Sequence, residues 1–297
     1  MKRRDFLKAA VGGISLLFLG ETALLSEPDE YEVGIVQSQD YEKAVIEAIN
    51  LVGGIEKYVK PGDVVVVKPN IAWNSPPHLK ANTDPLIVRT IVDMCYRALA
   101  SKVYVFDRAC NNPKLTYITS GIKKAAEEAG AKVLYVNKIT AKLYPSIKIK
   151  NATFLKSTTV NRYVLECDTF INVPVAKHHS SAGLTIGMKN LMGITGDNRS
   201  KWHWNLHEAI SDINIAVRSH LTVVDATNIM IMGGPTGGKP EYLKKLDTVI
   251  ASSNVASADA EATYLFGKTP ESIGYIRLAR EKNIGKIRNY SKKKITV

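Results

Sequence analysis

From residue 31 to residue 290 the chain alternates short apolar, β-branched runs with longer segments whose apolar residues return every three to four positions. These patterns predict strands over 33–37, 64–67, 102–106, 132–136, 170–173, 221–224 and 248–252. They predict helices over 42–52, 85–99, 118–129, 206–217, 257–266 and 272–281. Local signals mark the ends: Lys60-Pro61-Gly62-Asp63 is a turn before four valines, Thr83 and Asp84 can cap a helix with Pro85 in its first turn, and Gly130 can close one. The repeated βα rhythm implies an α/β fold, a doubly wound, mostly parallel sheet with helices on both faces. Between 143 and 160 the rhythm breaks. There Ser146-Ile147-Lys148-Ile149-Lys150 and Thr153-Phe154-Leu155-Lys156 flank Asn151, which predicts a small β-hairpin insertion. Residues 31–290 thus read as one α/β domain carrying that insertion, and 291–297, with Lys292-Lys293-Lys294, as a solvated basic tail.

The first thirty residues follow another pattern. Lys2-Arg3-Arg4-Asp5-Phe6-Leu7-Lys8 precedes an apolar stretch from Ala9 to Leu19, the basic-then-apolar order of an export signal, and the paired arginines resemble a twin-arginine signal. The expectation is transport across the cytoplasmic membrane by the twin-arginine machinery, with continuation through Ala23-Leu24-Leu25 able to leave an uncleaved anchor. A buried amphipathic first helix is the blander alternative.

Charge and cysteine content narrow the chemistry. The 297 residues carry 40 Lys and Arg against 28 Asp and Glu, a net +12, and the leader contributes none of that excess, so the body itself calls for an acidic partner. Cys95, Cys110 and Cys167 lie far apart with no Cys-x-x-Cys, which disfavours a disulfide scaffold, a zinc ribbon or an iron–sulfur cluster within the chain. No aromatic-interleaved basic motif supports nucleic-acid binding. Gly233-Gly234-Pro235-Thr236-Gly237-Gly238-Lys239-Pro240 is a poor phosphate loop, because Pro240 stands where Ser or Thr is needed; it reads as a lid or a surface turn. Neither a dinucleotide fingerprint nor a Gly-x-Ser-x-Gly elbow is present.

In open parallel sheets ligands sit beyond the carboxyl ends of the strands. The residues expected there are Lys68 and Asn70, Asp107, Asn172 with Lys177 and His179, and Asp225. The segment 177–190 is the richest: a helix beginning near Thr185 would aim free N–H groups at an anion, and Lys189 and Asn190 would add polar contacts. His178 and His179 would face opposite ways in extended chain, and His179 is the one assigned to the site. His203 and His207, four apart, could share a helix face and pair on a metal, with Asp212 orienting either; packing and capping are the alternative.

Together Lys68-Pro69-Asn70, Lys177-x-His179 followed by Gly183-x-Thr185 and Lys189-Asn190-x-x-Gly193, Val224-Asp225, Gly234-Pro235 and Ala258-Asp259-Ala260 make the chain similar to the domain-of-unknown-function 362 family, over about 33–285. Ala226 and Asn254 depart from that pattern. The resemblance implies a fold distantly like the amino-terminal domain of nickel-pincer lactate racemases, and relatives often joined to a ferredoxin-like module that the cysteine count shows to be missing here. The leading expectation is an exported enzyme for a small anionic, carboxylate- or phosphate-bearing compound. His179, Lys177, Asp107 and Asp225 would serve in catalysis, and Lys68, Asn70, Asn172, Thr185, Lys189 and Asn190 in binding. His179, His207, Asp225 and Asp259 are candidate ligands for a divalent metal. The alternative is a non-catalytic exported protein that partners a separate iron–sulfur redox protein.

Overall fold

The computed structural model describes residues 31–136, 138–237 and 239–297; the export-signal expectation, on residues 1–30, lies outside them. The strands in chain order are β1 (Val33–Gln37), β2 (Val64–Pro69), β3 (Lys102–Val105), β4 (Lys132–Val133), β5 (Ser146–Lys148) and β6 (Ser157–Thr159). They continue with β7 (Thr169–Val173), β8 (Val175–His179), β9 (Gly183–Thr185), β10 (Leu221–Met230), β11 (Leu243–Ser252) and β12 (Lys292–Thr296). The helices are α1 (Tyr41–Asn50), α2 (Ile55–Tyr58), α3 (Pro85–Arg97), α4 (Pro113–Thr119) and α5 (Ile122–Glu128), then α6 (Arg162–Glu166), α7 (Gly187–Asn190), α8 (Leu206–Ala216), α9 (Val255–Tyr264) and α10 (Gly274–Glu281).

The main sheet runs β12-β1-β11-β10-β7-β2-β3-β4, with β8 pairing on β10 and β9 on β8. From β10 through β7, β2 and β3 to β4 every pairing is parallel; β11 runs antiparallel to both β10 and β1. Alternation along each strand feeds two apolar cores. Val65 and Val67 of β2 join Ile87, Ile91 and Ile122 on one face, while Val66 joins Phe170, Ile210 and Tyr275 on the other. The doubly wound, mostly parallel fold is therefore as the pattern predicts.

Several local readings change. The helix expected over 118–129 is two, α4 and α5, because Gly121 takes φ 73 between them. The hairpin exists as β5 against β6, but its second strand starts at Ser157 rather than near 153. The amides of Thr153, Phe154 and Leu155 are drawn instead to the Asp212 carboxylate. The basic tail is not merely solvated: β12 pairs in parallel with β1, Lys292 opposite Val33. Segment 175–185, read as loop running into helix, is a β8–β9 hairpin, and α7 starts only at Gly187.

Candidate functional site

Strand β2 lies between β3 and β7, so successive crossovers leave it in opposite directions, and a crevice opens at its carboxyl end. Its floor is a closed polar network. The Asn190 carboxamide uses its whole capacity: Oδ1 accepts from Lys68 Nζ at 3.0 Å and Asn70 Nδ2 at 3.1 Å, while Nδ2 donates to the Lys68 carbonyl at 3.2 Å and to Asn172 Oδ1 at 2.9 Å. Asn172 in turn donates to the Gly187 carbonyl at 2.9 Å. Lys68 Nζ sits 2.9 Å from Asp107 Oδ1, with both side chains buried, and Asp107 Oδ2 accepts the Ile71 amide at 2.8 Å. Burial lowers the Lys68 pKa, and the Asp107 carboxylate works against that shift. Gly193 passes directly over this ion pair; a Cβ there would stand 1.8 Å from Asp107 Oδ1.

Above the floor is a cavity of about 500 Å³ whose polar lining includes Asn70, Asp107, Lys177, His179, Thr185, Lys189, Arg199 and His203, with Pro235 and Thr236 of the glycine-rich loop at its rim. Strand alternation aims Lys177 and His179 the same way, and the β8–β9 register sets Thr185 opposite Lys177. Lys177 Nζ donates to Asn70 Oδ1 at 3.2 Å and to the Ala81 carbonyl. Arg199 donates to the Arg108 and Ala109 carbonyls at 2.9 and 3.2 Å. The Lys189 ammonium makes no hydrogen bond among the described residues, and none of these three cations forms an ion pair there. Burial, reinforced by Lys189, lowers the Lys177 pKa to about 7, and burial lowers that of Lys189 to about 8, with Arg199 and Lys68 adding to the shift. The Thr185 hydroxyl is buried in the lining and has no partner. The one carboxylate in the lining, Asp107, is already matched by Lys68.

His179 carries a defined tautomer. Its Nδ1 accepts the Ser181 and Ala182 amides at 3.1 and 3.2 Å, so the ring proton resides on Nε2. Burial, with Lys189 and Lys177 adding repulsion, lowers its pKa to about 3. The ring is thus neutral, with Nε2–H free to donate. His203 faces it with ring centroids 6.4 Å apart.

Other expected site residues lie outside the cavity lining. Lys68 is matched by Asp107 and Asn172 by Asn190, so both support the cavity from below and do not line it. Asp225 accepts the Asp84 amide at 2.9 Å and the Thr227 hydroxyl at 2.7 Å, tying the start of α3 to β10. Asp259 accepts the Gly187 and Met188 amides at 2.7 and 2.9 Å, so the N–H groups expected to meet an anion cap onto a side chain. Burial pushes the Asp259 pKa to about 7 against those two amides. His207 Nδ1 accepts the Tyr275 amide at 3.1 Å at the start of α10 and does not line the cavity that His203 reaches; 199–205 is a 3₁₀ segment and α8 begins only at Leu206, so the two do not share an α-helical face. Asp212, expected to orient a histidine, holds Lys282 Nζ at 2.6 Å. Of the four metal candidates only His179 reaches the cavity, and no three His, Cys, Asp or Glu side chains converge on a metal position among the described residues, so the donor set does not fit one. Sequence reasoning missed Arg199, at the start of the 199–205 3₁₀ segment, and Cys110, in the loop before α4; neither stands directly at the end of a β-branched run.

Comparison with known proteins places this geometry. Residues 65–264 match the family described as Domain of unknown function (DUF362). A thylakoid-associated protein of Synechocystis sp. is 24% identical over 260 residues, covering 81% of this chain and 76% of its own. Two solved structures share the fold: a Thermotoga maritima protein (TM-score 0.51, 14% identity) and the lactate racemase apoprotein of Thermoanaerobacterium thermosaccharolyticum (TM-score 0.50, 11% identity). Each aligns over 76% of this chain, which spans only 58% and 55% of their respective lengths.

Proposed function

The chain belongs to the DUF362 family, and we propose that it is an exported enzyme that binds a small carboxylate- or phosphate-bearing compound in the crevice at the end of β2 and acts on it by proton transfer. One observation carries the reading: Lys177, Lys189 and Arg199 line a single cavity without a carboxylate to balance them. Unbalanced buried cations are costly, and an anion supplies what they lack. In this reading Lys189 and Arg199 hold the anionic group. Thr185 Oγ1 and the Nε2–H of His179 donate to it or to an adjacent carbonyl, and that donor stays neutral throughout. Lys177 exchanges the proton, since an amine with a pKa of about 7 can both give and take one near neutrality. Asn70 and the Ala81 carbonyl keep that amine aimed into the cavity.

Occupancy can be tested before the substrate is known. Cys110 is exposed and lines the same cavity, whereas Cys95 is buried and Cys167 half-buried, so alkylation of Cys110 by N-ethylmaleimide reports on the crevice. Millimolar phosphate or oxalate is expected to slow that reaction and to raise the thermal midpoint. Lys189→Gln with Arg199→Gln is expected to abolish both effects. If neither anion protects Cys110, or the double variant is protected as well as the parent, the anion-site reading fails.

A second reading is favoured by Trp204, 78% exposed and adjacent to the cavity-lining His203: the chain would present an anionic group to a docked redox protein instead of transforming it. Trp204→Ala separates the two, because it should weaken partner capture while leaving phosphate protection of Cys110 intact.

A further inference from the structure

Strand direction gives the molecule two distinct ends. Since β1 and β10 are both antiparallel to β11, β1 shares its direction with β10, β7 and β2, and the start of β1 lies at the end of the sheet opposite the candidate site. At that end a depression of about 660 Å³ is lined by Glu32, Arg218, Asn254, Arg280, Lys286 and Arg288, among others. Glu32 is taken by Lys286 at 2.7 Å, and Arg288 is taken by Glu271. The Arg218 guanidinium donates to the Asn283 carbonyl at 3.2 Å, and the Arg280 guanidinium makes no hydrogen bond or ion pair among the described residues, with Glu271 within its electrostatic reach. Both arginines are exposed. Along β1, β12 carries Lys292, Lys293 and Lys294, with Lys292 taken by Glu261 and the Lys293 ammonium over the Tyr31 ring.

The chain also enters the fold here. Glu32 lines the depression, and the thirty residues before Tyr31 contain the apolar stretch that starts at Ala9 behind Lys2, Arg3 and Arg4. Attachment of that stretch to a bilayer would tether the molecule at this end, the one opposite the candidate cavity.

We propose that this strand-amino-terminal end is a docking surface for the anionic headgroups of a phospholipid bilayer, with Arg218 and Arg280 as the principal contacts. Exposed arginines near an anionic surface are attracted in an additive, salt-sensitive way, and their planar heads suit phosphodiester oxygens. The same surface has little to offer an uncharged bilayer.

The test uses the full chain in flotation assays with vesicles of phosphatidylcholine alone and of phosphatidylcholine with phosphatidylglycerol in equal parts. Lys2, Arg3, Arg4 and Lys8 ahead of the apolar stretch also favour anionic vesicles, so the basic end is read by the share of the difference that the Arg218 and Arg280 substitutions remove. Partitioning is expected to be at least about tenfold greater on the anionic vesicles, and added salt is expected to erase the difference. Arg218→Glu with Arg280→Glu should remove most of it, while Lys114→Glu with Lys123→Glu and Lys124→Glu, on α4 and α5, should not. Equal partitioning on the two vesicles, or an unchanged preference in the Arg218/Arg280 variant, overturns the proposal. So does displacement by millimolar glycerol phosphate, which would assign the depression to a soluble phosphate. Hydrogen exchange on the unmodified chain supplies a readout independent of variant folding: amides of 283–289 should slow on anionic vesicles and those of 193–203 should not.

Discussion

Lys177 concentrates the conflict between stability and binding at this site. Its pKa of about 7, against an ordinary 10.5, means that between those values the unfolded chain holds a proton that the folded chain lacks. Stability from this group therefore rises with pH across that window, and below about 7 the folded protein must keep a buried ammonium. His179 acts in the same direction at lower pH, its contribution being lost as pH falls from 6.5 towards about 3. We expect Lys177→Met to stabilise the protein at pH 6 by about 1–2 kcal/mol, less than the full shift implies because Asn70 Oδ1 and the Ala81 carbonyl lose their donor. The same variant should lose phosphate protection of Cys110; denaturant melts and alkylation rates check the two halves separately. An anion favours the protonated amines, so its affinity should be highest below pH 7 and fall as pH rises through 7 and 8, by up to about tenfold per unit for each lysine. Isothermal titration in buffers of different ionisation enthalpy should register proton uptake on binding at pH 8; an affinity that rises with pH would refute the assignment.

At the scale of elements, the short α7 and the turn after it explain the spacing of Lys189-Asn190-x-x-Gly193. Asn190 must reach the β2 and β7 ends, and three residues later the backbone must cross the Lys68–Asp107 pair at a distance that admits no side chain. Gly193→Ala is expected to cost about 3 kcal/mol or more in urea denaturation, because the methyl separates a buried ion pair. A loss below about 1 kcal/mol would mean the crossing is looser than it stands here. Strand exits made part of this legible: Asn70, Asp107, Lys177 and His179 follow β-branched runs and reach the cavity, while Lys189 and Asn190 stand out only through the polar segment 177–190 and the family resemblance. The β8–β9 hairpin was not legible, since Lys177-His178-His179 lacks strand composition and is held extended by β10 and by its own return strand. Asp225 and Asp259 share the composition of catalytic carboxylates, yet each is consumed by backbone amides from a distant segment, a pairing that only the tertiary fold creates.

For the whole molecule, the net +12 resolves into local environments: crevice cations outnumbering the single carboxylate there, which Lys68 already matches, exposed arginines at the opposite end, and surface lysines paired with neighbours one turn away, as in Lys123–Glu127. Connectivity adds a constraint on when this fold can form. Strand β1 opens the described chain, but its two neighbours are β11, from residues 243–252, and β12, from residues 292–296. The first strand therefore cannot be locked in place until almost the whole chain has been made. A protein closed by such long-range pairing suits a route that exports folded chains, and the Arg3-Arg4 pair is the feature that route would read. Replacing Arg3 and Arg4 together by lysine keeps the charge and the apolar stretch but removes the paired guanidinium groups. In a host with a working twin-arginine pathway, we expect the parent to fractionate outside the cytoplasm and the double-lysine variant to accumulate inside it, folded and with Cys110 still protected by phosphate. Equal distribution of the two proteins would remove export by this route from the proposed function while leaving the anion site standing.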